Sequence, residues 1–137
     1  MNSPVTIDAS VFVSAFIPTE PAHQASKIFM VSVREQSVPI IVPILVLPEI
    51  SAALSRGQGK PELGKAFVQE LRNFPNTTFI DIDDTVANLA VDIAANNRLR
   101  GSDSVYAAIA LRFGTELITL DREQIERLPN VLSVRSP

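Results

Sequence analysis

Four acidic residues, each next to an apolar segment, are the positions of this sequence best suited to chemistry. They are spread from one end of the chain to the other: Asp8, Glu49, Asp103 and Asp121. Carboxylates that meet without partners repel one another, so a cluster of them needs a counter-cation. Hard oxygen ligands suit Mg²⁺ or Mn²⁺. Such a cluster therefore points to metal-dependent cleavage of phosphodiester bonds.

Each acid also has an ordinary structural explanation when it is taken alone. Asp8, or Ser10 two residues later, could cap the helix that follows. Glu49 and Asp103 fall in the first turns of predicted helices, where the helix dipole favours a negative charge. The functional and structural readings of each single position therefore both stay open.

The composition limits the kinds of site that this chain can build. Its 137 residues fit one domain spanning 1–137, and 46% hydrophobic with 20% charged residues is typical of a globular protein. With no cysteine and a single histidine, His23, disulfides, thiolate metal sites and multi-histidine zinc sites are excluded. We expect His23 to have a structural or surface role, because no partner stands near it in sequence.

Charge and hydropathy predict where the protein resides and how it meets its partners. The net charge of −3 argues against a bulk electrostatic grip on nucleic acid, although metal bound by carboxylates would restore positive charge locally. No apolar run approaches the roughly 18 residues that span a membrane, and the first residues do not form a signal peptide. We therefore expect a cytoplasmic protein that does not enter a membrane.

Short apolar segments alternate with amphipathic ones along the chain. The predicted strands are Val5–Asp8, Ile40–Val42, Thr77–Ile82, Glu116–Leu120 and Val131–Val134. Six of the predicted helices are Ala9–Phe16, Pro21–Glu35, Leu47–Ser55, Pro61–Asn73, Asp84–Asn97 and Arg122–Arg127. A seventh is capped by Ser102 and ends at Phe113. This alternation predicts an α/β protein with a mostly parallel sheet covered on both faces. A site would form at the ends of the strands.

The acids and their neighbours, in this order and spacing, resemble a known family. The matching stretches are Ile7–Ser10, Pro48–Ile50, Leu99–Ala108 and Leu117–Glu123. They are similar to the PIN domain, the nuclease fold of the toxin in VapBC-type toxin–antitoxin pairs. The likeness covers almost the whole chain, and its most specific parts are Leu99–Ala108 and the Asp-x-Ser sequence that starts at Asp8.

The resemblance implies a fold and a site. The fold is a three-layer α/β/α sandwich with a short, mostly parallel sheet, and the site is a cleft for one or two Mg²⁺ or Mn²⁺ ions. By match, Asp8, Glu49, Asp103 and Asp121 are the catalytic, metal-binding carboxylates. Ser10 and Thr119 fall on supporting polar positions, and Glu123 is an additional acid. The implied reaction is hydrolysis of RNA by metal-activated water.

Several further side chains have a predicted place. Arg100 and Arg122 could contact RNA phosphates, although ordinary solubilising charge explains them as well. Asp83 or Asp84 is expected to cap a helix rather than to join the site. Tyr106 and Phe113 are expected in the core, because their spacing with Ile109 is helical.

The leading hypothesis is a metal-dependent endoribonuclease that acts as the toxin of a toxin–antitoxin pair. The family resemblance also implies a cognate antitoxin as partner and a homodimer. One alternative is a catalytically silent PIN-like module that binds RNA or protein, and retention of all four acids disfavours it. Another is a metal-dependent phosphatase, whose usual Asp-x-Asp motif is replaced here by Asp8 and Ser10.

Overall fold

Five short strands form one parallel sheet in the computed structural model, which describes residues 2–137. The strands are β1 Val5–Ile7, β2 Ile40–Pro43, β3 Thr77–Ile80, β4 Glu116–Ile118 and β5 Val134–Arg135. Their order across the sheet is β3-β2-β1-β4-β5. Strand β1 is central, with Val5 opposite Ile40 of β2 and Ile7 opposite Ile118 of β4. The carboxyl ends of β2, β1 and β4 therefore adjoin at one edge of the sheet.

Seven helices connect or flank these strands within residues 2–137. They are α1 Ala9–Phe16, α2 His23–Glu35, α3 Val46–Gln58, α4 Pro61–Arg72, α5 Asp84–Asn97, α6 Gly101–Phe113 and α7 Arg122–Arg127. The order of strands and helices is the one predicted from the sequence. No helix in this part of the chain has the length and apolar composition needed to cross a bilayer.

The helices form a layer on each side of the sheet, as predicted. From β1 through β2 to β3 the chain moves in one direction across the sheet, and from β3 through β4 to β5 it moves back. Because parallel crossovers are right-handed, α1 to α4 cover one face and α5 to α7 cover the other. In agreement, α1 packs on α2 and α3, α3 packs on α4, and α5 packs on α6.

Helix α6 is buried along most of the stretch from Asp103 to Ala110, and this places its first turn close to the strand ends. Its buried residues include Asp103, Ser104 and the unbroken run Tyr106–Ala110. Three alanines in that run let the helix approach β1, β2 and β4, which it contacts. The small residues of α6 therefore bring Asp103 to the edge where the strands end.

Helix α3 is held in place by an unusually close contact with α4. Gly64 of α4 faces the backbone of α3, and a Cβ at this position would lie 2.7 Å from the Ser51 carbonyl oxygen. It would also lie 2.8 Å from Ser55 Oγ. Real Cβ atoms do not approach backbone this closely, so glycine allows the two helices to pack at this distance. The contact fixes the helix whose first turn carries Glu49.

The structure corrects several local predictions. Ser102 does not cap α6, which already begins at Gly101 after Arg100. Phe113 is not a core residue, since 39% of it is exposed. It is the last residue of α6, and Gly114 then turns the chain away with a φ of 66°.

The predicted strand at Val131–Val134 is also displaced. Val131 N–H and Leu132 N–H both donate to the Leu128 carbonyl, at 2.8 and 3.0 Å. These turn hydrogen bonds occupy the segment after α7, so β5 begins only at Val134. Asp83, in contrast, caps α5 as predicted by accepting from Val86 N–H at 2.9 Å.

Candidate active site

The four predicted acids line one cleft of about 750 Å³ at the edge where the strands end: Asp8, Glu49, Asp103 and Asp121. Each comes from a different element. Asp8 directly follows β1, and Asp121 lies three residues beyond β4. Glu49 and Asp103 stand in the first turns of α3 and α6. Residues far apart in sequence therefore meet because β1 is the central strand of a parallel sheet.

Asp8 is buried and held by three donors on a single carboxylate oxygen. Its Oδ2 accepts from Ser10 Oγ at 2.5 Å, from the Ser10 N–H at 3.2 Å and from Thr119 Oγ1 at 3.2 Å. Only 6% of the residue is exposed. Asp8 is also the N-cap residue of α1, which confirms the structural reading of this position.

The two supporting hydroxyls also tie Asp8 to the segment that carries Asp121. Ser10 Oγ accepts from Leu120 N–H at 3.1 Å, and Thr119 Oγ1 accepts from Asp121 N–H at 3.0 Å. Each hydroxyl thus donates to a carboxylate and accepts from backbone. The network joins the end of β1 to the segment that follows β4.

Glu49 is held by a phenol from the opposite helical layer. Tyr106 O–H donates to Glu49 Oε1 at 2.5 Å, and Tyr106 is fully buried. The prediction that Tyr106 belongs to the core is confirmed. Its hydrogen bond to an acid of the cleft was not predicted, although it lies one helical turn after Asp103, and this spacing places both on one face of α6.

Arg100 joins the other two acids. Its Nε donates to Asp103 Oδ2 at 3.0 Å, and its Nη2 donates to Asp121 Oδ2 at 2.6 Å. Asp121 Oδ1 meanwhile accepts from the N–H groups of Glu123 and Gln124 at the start of α7. The guanidinium therefore supplies positive charge between two carboxylates of the cleft.

Electrostatics distinguishes these acids from ordinary surface carboxylates. Burial raises the pKa of Asp8 above its usual range, and the hydrogen bonds from Ser10 oppose this shift in part. Burial also raises the pKa of Glu49, and the charges of Asp8 and Asp103 raise it further. Asp103 has its pKa raised by burial, against the opposing effect of Arg100. Burial removes water from all three carboxylates, and no nearby positive charge fully compensates for that loss.

This donor set fits a hard divalent cation. Oxygen ligands, partial burial and mutual repulsion are the features that a bound Mg²⁺ or Mn²⁺ would stabilise. Over residues 2–137, however, no three acidic side chains converge into a ready coordination sphere. Arg100 takes part of the charge-balancing role, so a cation would have to compete with its guanidinium for Asp103 and Asp121.

Two more charged residues line the cleft beyond the predicted set: Glu20 and Arg56. Glu20 lies in the loop between α1 and α2, and Arg56 lies in the last turn of α3. The sequence around Glu20 carries no distinctive motif. Its position at the cleft becomes visible only in the structure, where Pro21 and Ala22 of the same loop also line the cleft.

The two predicted accessory residues after Asp121 lie to one side of the cleft. Glu123 and Arg122 border a neighbouring depression of about 530 Å³, together with Arg98 and Arg127. There Glu123 pairs with Arg127 at 3.4 Å, and Arg127 Nη1 donates to the Arg98 carbonyl at 2.6 Å. His23 does not line the cleft, and its Nδ1 hydrogen-bonds to the Ser14 carbonyl at 2.8 Å.

Comparison with known proteins places this geometry in a family. The PIN domain model matches residues 5–130. Among curated proteins, none matches the chain in sequence. Solved structures match its fold over nearly the whole length at low sequence identity.

Three of these structures illustrate the range. VapC20 from Mycobacterium tuberculosis, described as a sarcin–ricin loop cleaving toxin, has a TM-score of 0.78 and 13% identity, covering 97% of this chain and 99% of that one. FitAcB from Neisseria gonorrhoeae has a TM-score of 0.74 and 16% identity, with 97% of each chain covered. DNA-bound VapBC from Salmonella typhimurium has a TM-score of 0.71 and 17% identity, covering 99% and 98%. The chain belongs to the PIN domain family.

Proposed function

We propose that this protein is a divalent-metal-dependent endoribonuclease, and that it is the toxin of a toxin–antitoxin pair. The proposal rests above all on four carboxylates from four separate elements, which line one cleft at the strand ends. Burial and mutual charge raise the pKa of three of them. A fold gains nothing in stability from such an arrangement unless a cation joins it.

The residues of the chain divide the work as follows. Asp8 presents Oδ1 to the cleft, because its three donors all engage Oδ2. Glu49 and Asp103 contribute oxygens from the opposite walls, and Asp121 completes the set once Arg100 releases it. Ser10 and Thr119 orient Asp8. When bound, Mg²⁺ or Mn²⁺ would neutralise these acids, polarise the phosphodiester and make an attacking water more acidic.

RNA is the proposed substrate. One structure with a similar fold is a toxin that cleaves the sarcin–ricin loop, and several others are toxin–antitoxin complexes. These likenesses support an RNA target and a cognate antitoxin as partner. A homodimer, a single domain over 1–137 and a cytoplasmic location complete the proposal.

Arg100 and Arg122 are proposed to contact RNA phosphates. The side chain of Arg100 remains 69% exposed although it pairs with two acids, so it can reach a strand entering the cleft. If a cation displaces the guanidinium from Asp103 and Asp121, the same arginine becomes free to pair with phosphate. Arg122 is exposed at the start of α7 beside the cleft.

A second candidate is a silent PIN-like module that binds RNA or protein without cleaving. The observation in its favour is the ion pair between Arg100 and the acids Asp103 and Asp121. An arginine that stayed there would neutralise the cleft without a metal. The four retained acids still favour the nuclease.

The deciding experiment is cleavage of total cellular RNA by purified protein freed of antitoxin. It compares Mg²⁺, Mn²⁺ and EDTA, and sets Asp8→Asn beside Asp92→Asn, which changes an exposed acid of α5. We expect discrete fragments that disappear with EDTA and with Asp8→Asn but persist with Asp92→Asn. Binding of RNA without cleavage by folded protein that binds Mn²⁺ would favour the silent module.

A further inference from the structure

Tyr106 stands out among the residues around the cleft because it is neither a predicted ligand nor an ordinary core residue. Its side chain is fully buried, and its hydroxyl lies 2.5 Å from Glu49 Oε1. A buried phenol needs a hydrogen-bond partner, and any backbone carbonyl would satisfy it. Here the partner is a carboxylate of the cleft, so the bond restricts the orientation of Glu49.

The bond also joins the two helical layers of the fold. Glu49 belongs to α3 on one face of the sheet, whereas Tyr106 belongs to α6 on the other. The contact passes over the edge at which β1 and β2 end. Asp103 lies one turn earlier on α6, so this single helix supplies both an acid and the group that orients another acid.

The free oxygen of Glu49 then has a fixed position. Because Oε1 accepts the phenol, rotation of the carboxylate is restrained and Oε2 is the oxygen left for the cleft. Glutamate has more rotatable bonds than aspartate, and ordering it costs side-chain entropy. A hydrogen bond made before a cation arrives removes part of that cost from the binding step.

We propose that Tyr106 is the positioning residue of this site, which holds Glu49 so that its second oxygen is directed towards a divalent cation. The inference rests on the proposed function, since it requires that the cleft bind a metal ion. Groups that orient metal ligands typically change metal affinity by about 10- to 100-fold when they are removed. An effect of that size is expected here without any loss of packing.

The test uses Tyr106→Phe, which keeps the ring and removes only the hydroxyl. Its control is Thr115→Val, which removes a buried hydroxyl from the Thr6–Thr115 pair at the opposite end of the strands, where the two oxygens lie 2.6 Å apart. Mn²⁺ affinity is measured by calorimetry and electron paramagnetic resonance. We expect Tyr106→Phe to weaken Mn²⁺ binding about tenfold and Thr115→Val to leave it unchanged.

A double variant shows whether Tyr106 acts through Glu49. In a Glu49→Ala background the phenol has lost its carboxylate, so adding Tyr106→Phe should weaken Mn²⁺ binding no further. A further tenfold loss in that background, or unchanged affinity in the single Tyr106→Phe variant, would overturn the inference.

The wild-type chain supplies an independent spectroscopic measurement. Tyr106 is the only tyrosine and there is no tryptophan, so tyrosine fluorescence comes from this one side chain. Mg²⁺, which does not quench by itself, should change this signal on binding, and the change should vanish in Glu49→Ala. If calorimetry showed that Mg²⁺ binds but the tyrosine fluorescence did not change, the proposed contact would be contradicted.

The metal site and the role of Tyr106 can be disproved separately. If the wild-type protein bound neither Mn²⁺ nor Mg²⁺, both the proposed metal site and the role of Tyr106 would be wrong. If the wild-type protein bound Mn²⁺ and cleaved RNA, but Tyr106→Phe bound it equally well, only the role of Tyr106 would be wrong. Circular dichroism of each variant confirms that the comparison is made between folded proteins.

Discussion

The two edges of the parallel sheet carry cavities of similar size but opposite electrostatic character. The cleft at the carboxyl ends of the strands measures about 750 Å³, and the cavity at their amino ends about 640 Å³. At the amino edge, a hydrogen bond from Ser133 and the adjacent Arg135 lower the pKa of Glu116. At the carboxyl edge, burial raises the pKa of three acids.

Cavity volume therefore does not distinguish the two edges of the sheet, whereas the direction of the pKa shifts of their acids does. Glu116 accepts from Ser133 Oγ at 2.7 Å and from Arg135 Nε at 2.8 Å, so its ionised form is stabilised by the fold. Burial raises the pKa of Asp8, Glu49 and Asp103, so the fold disfavours their ionised forms. Acids that share a cleft and have shifted pKa values are typical of functional sites.

The largest expected contrast between the two edges is in catalysis. Asp103→Asn removes one carboxylate from the cleft and should reduce RNA cleavage by at least about 100-fold, since oriented metal ligands contribute several kcal/mol to the transition state. Glu116→Gln removes a carboxylate from the other edge and should leave cleavage unchanged. Rates are measured at saturating Mn²⁺, and circular dichroism verifies that both variants are folded.

Two outcomes would contradict the expected difference between Asp103→Asn and Glu116→Gln. If Glu116→Gln reduced cleavage as much as Asp103→Asn, the amino edge would also belong to the active site. If neither variant reduced it, the assignment of the acids would be wrong.

The next contrast is stabilisation by a divalent ion. A cation that binds only the folded chain raises the free energy of unfolding by RT ln(1 + [L]/Kd), which is about 2.7 kcal/mol at 100 times Kd. Mg²⁺ should therefore raise the melting temperature of the wild-type protein and of Glu116→Gln by the same amount. It should raise that of Asp8→Asn much less, because a ligand oxygen with its charge is lost.

Calcium provides a useful comparison in the same melting experiment. Ca²⁺ also prefers oxygen ligands but favours larger, more flexible coordination spheres. If Mg²⁺ or Ca²⁺ raised the melting temperature of Asp8→Asn as much as that of the wild-type protein, the binding site of that ion would lie outside the cleft.

Much of this architecture could be predicted from the sequence, because it depends on local patterns. The order of strands and helices follows from hydrophobic periodicity, and parallel strands then bring Asp8 and Asp121 to one edge. The start of α6, after Arg100, and the start of β5, at Val134, were not predicted correctly. Phe113 looked like a core residue, yet its position at the end of the helix exposes it.

The contacts between distant side chains were the part that the sequence could not supply. Nothing in the residue pattern indicates that Tyr106 reaches Glu49, 57 positions earlier, or that Arg100 bridges to Asp121, 21 positions later. Both depend on rotamers chosen in the assembled fold. The four carboxylates could be identified because their spacing resembles a family, whereas their hydrogen-bond partners required coordinates.

A smaller effect is expected on the stability of the protein without metal. Asp8→Asn should raise the free energy of unfolding in EDTA by about 1 kcal/mol, because it removes a buried charge while its amide oxygen can still accept from Ser10 and Thr119. Glu116→Gln should lower the stability slightly, since it breaks a favourable ion pair. Urea unfolding in EDTA measures both. A destabilised Asp8→Asn would indicate that the ionised carboxylate is stabilised by its donors after all.

The smallest and most specific expectation concerns pH. It is the way in which the stability difference between Asp8→Asn and the wild-type protein depends on pH. Asp8 has an ordinary pKa of 3.8 that the fold raises, so the folded protein without metal binds more protons than the unfolded chain. The stability associated with this group is fully present below pH 3.8 and is lost as the pH rises through the folded pKa. The advantage of Asp8→Asn over the wild-type protein in EDTA should therefore grow from about pH 4 towards neutrality.

Glu116 should show the opposite sign, because the fold lowers its pKa from 4.5. Its contribution is present above 4.5 and is lost as the pH falls through the folded value, so the deficit of Glu116→Gln should shrink in acid. Unfolding by urea at a series of pH values, with each variant compared with the wild-type protein, cancels the groups that they share. Saturating Mg²⁺ should reverse the first trend, because it stabilises the wild-type protein more than Asp8→Asn and binds more tightly as the carboxylates lose their protons, and it should leave the second trend unchanged. If the stability differences of Asp8→Asn and Glu116→Gln from the wild-type protein changed with pH in the same direction, the two edges of the sheet would not differ as the structure indicates.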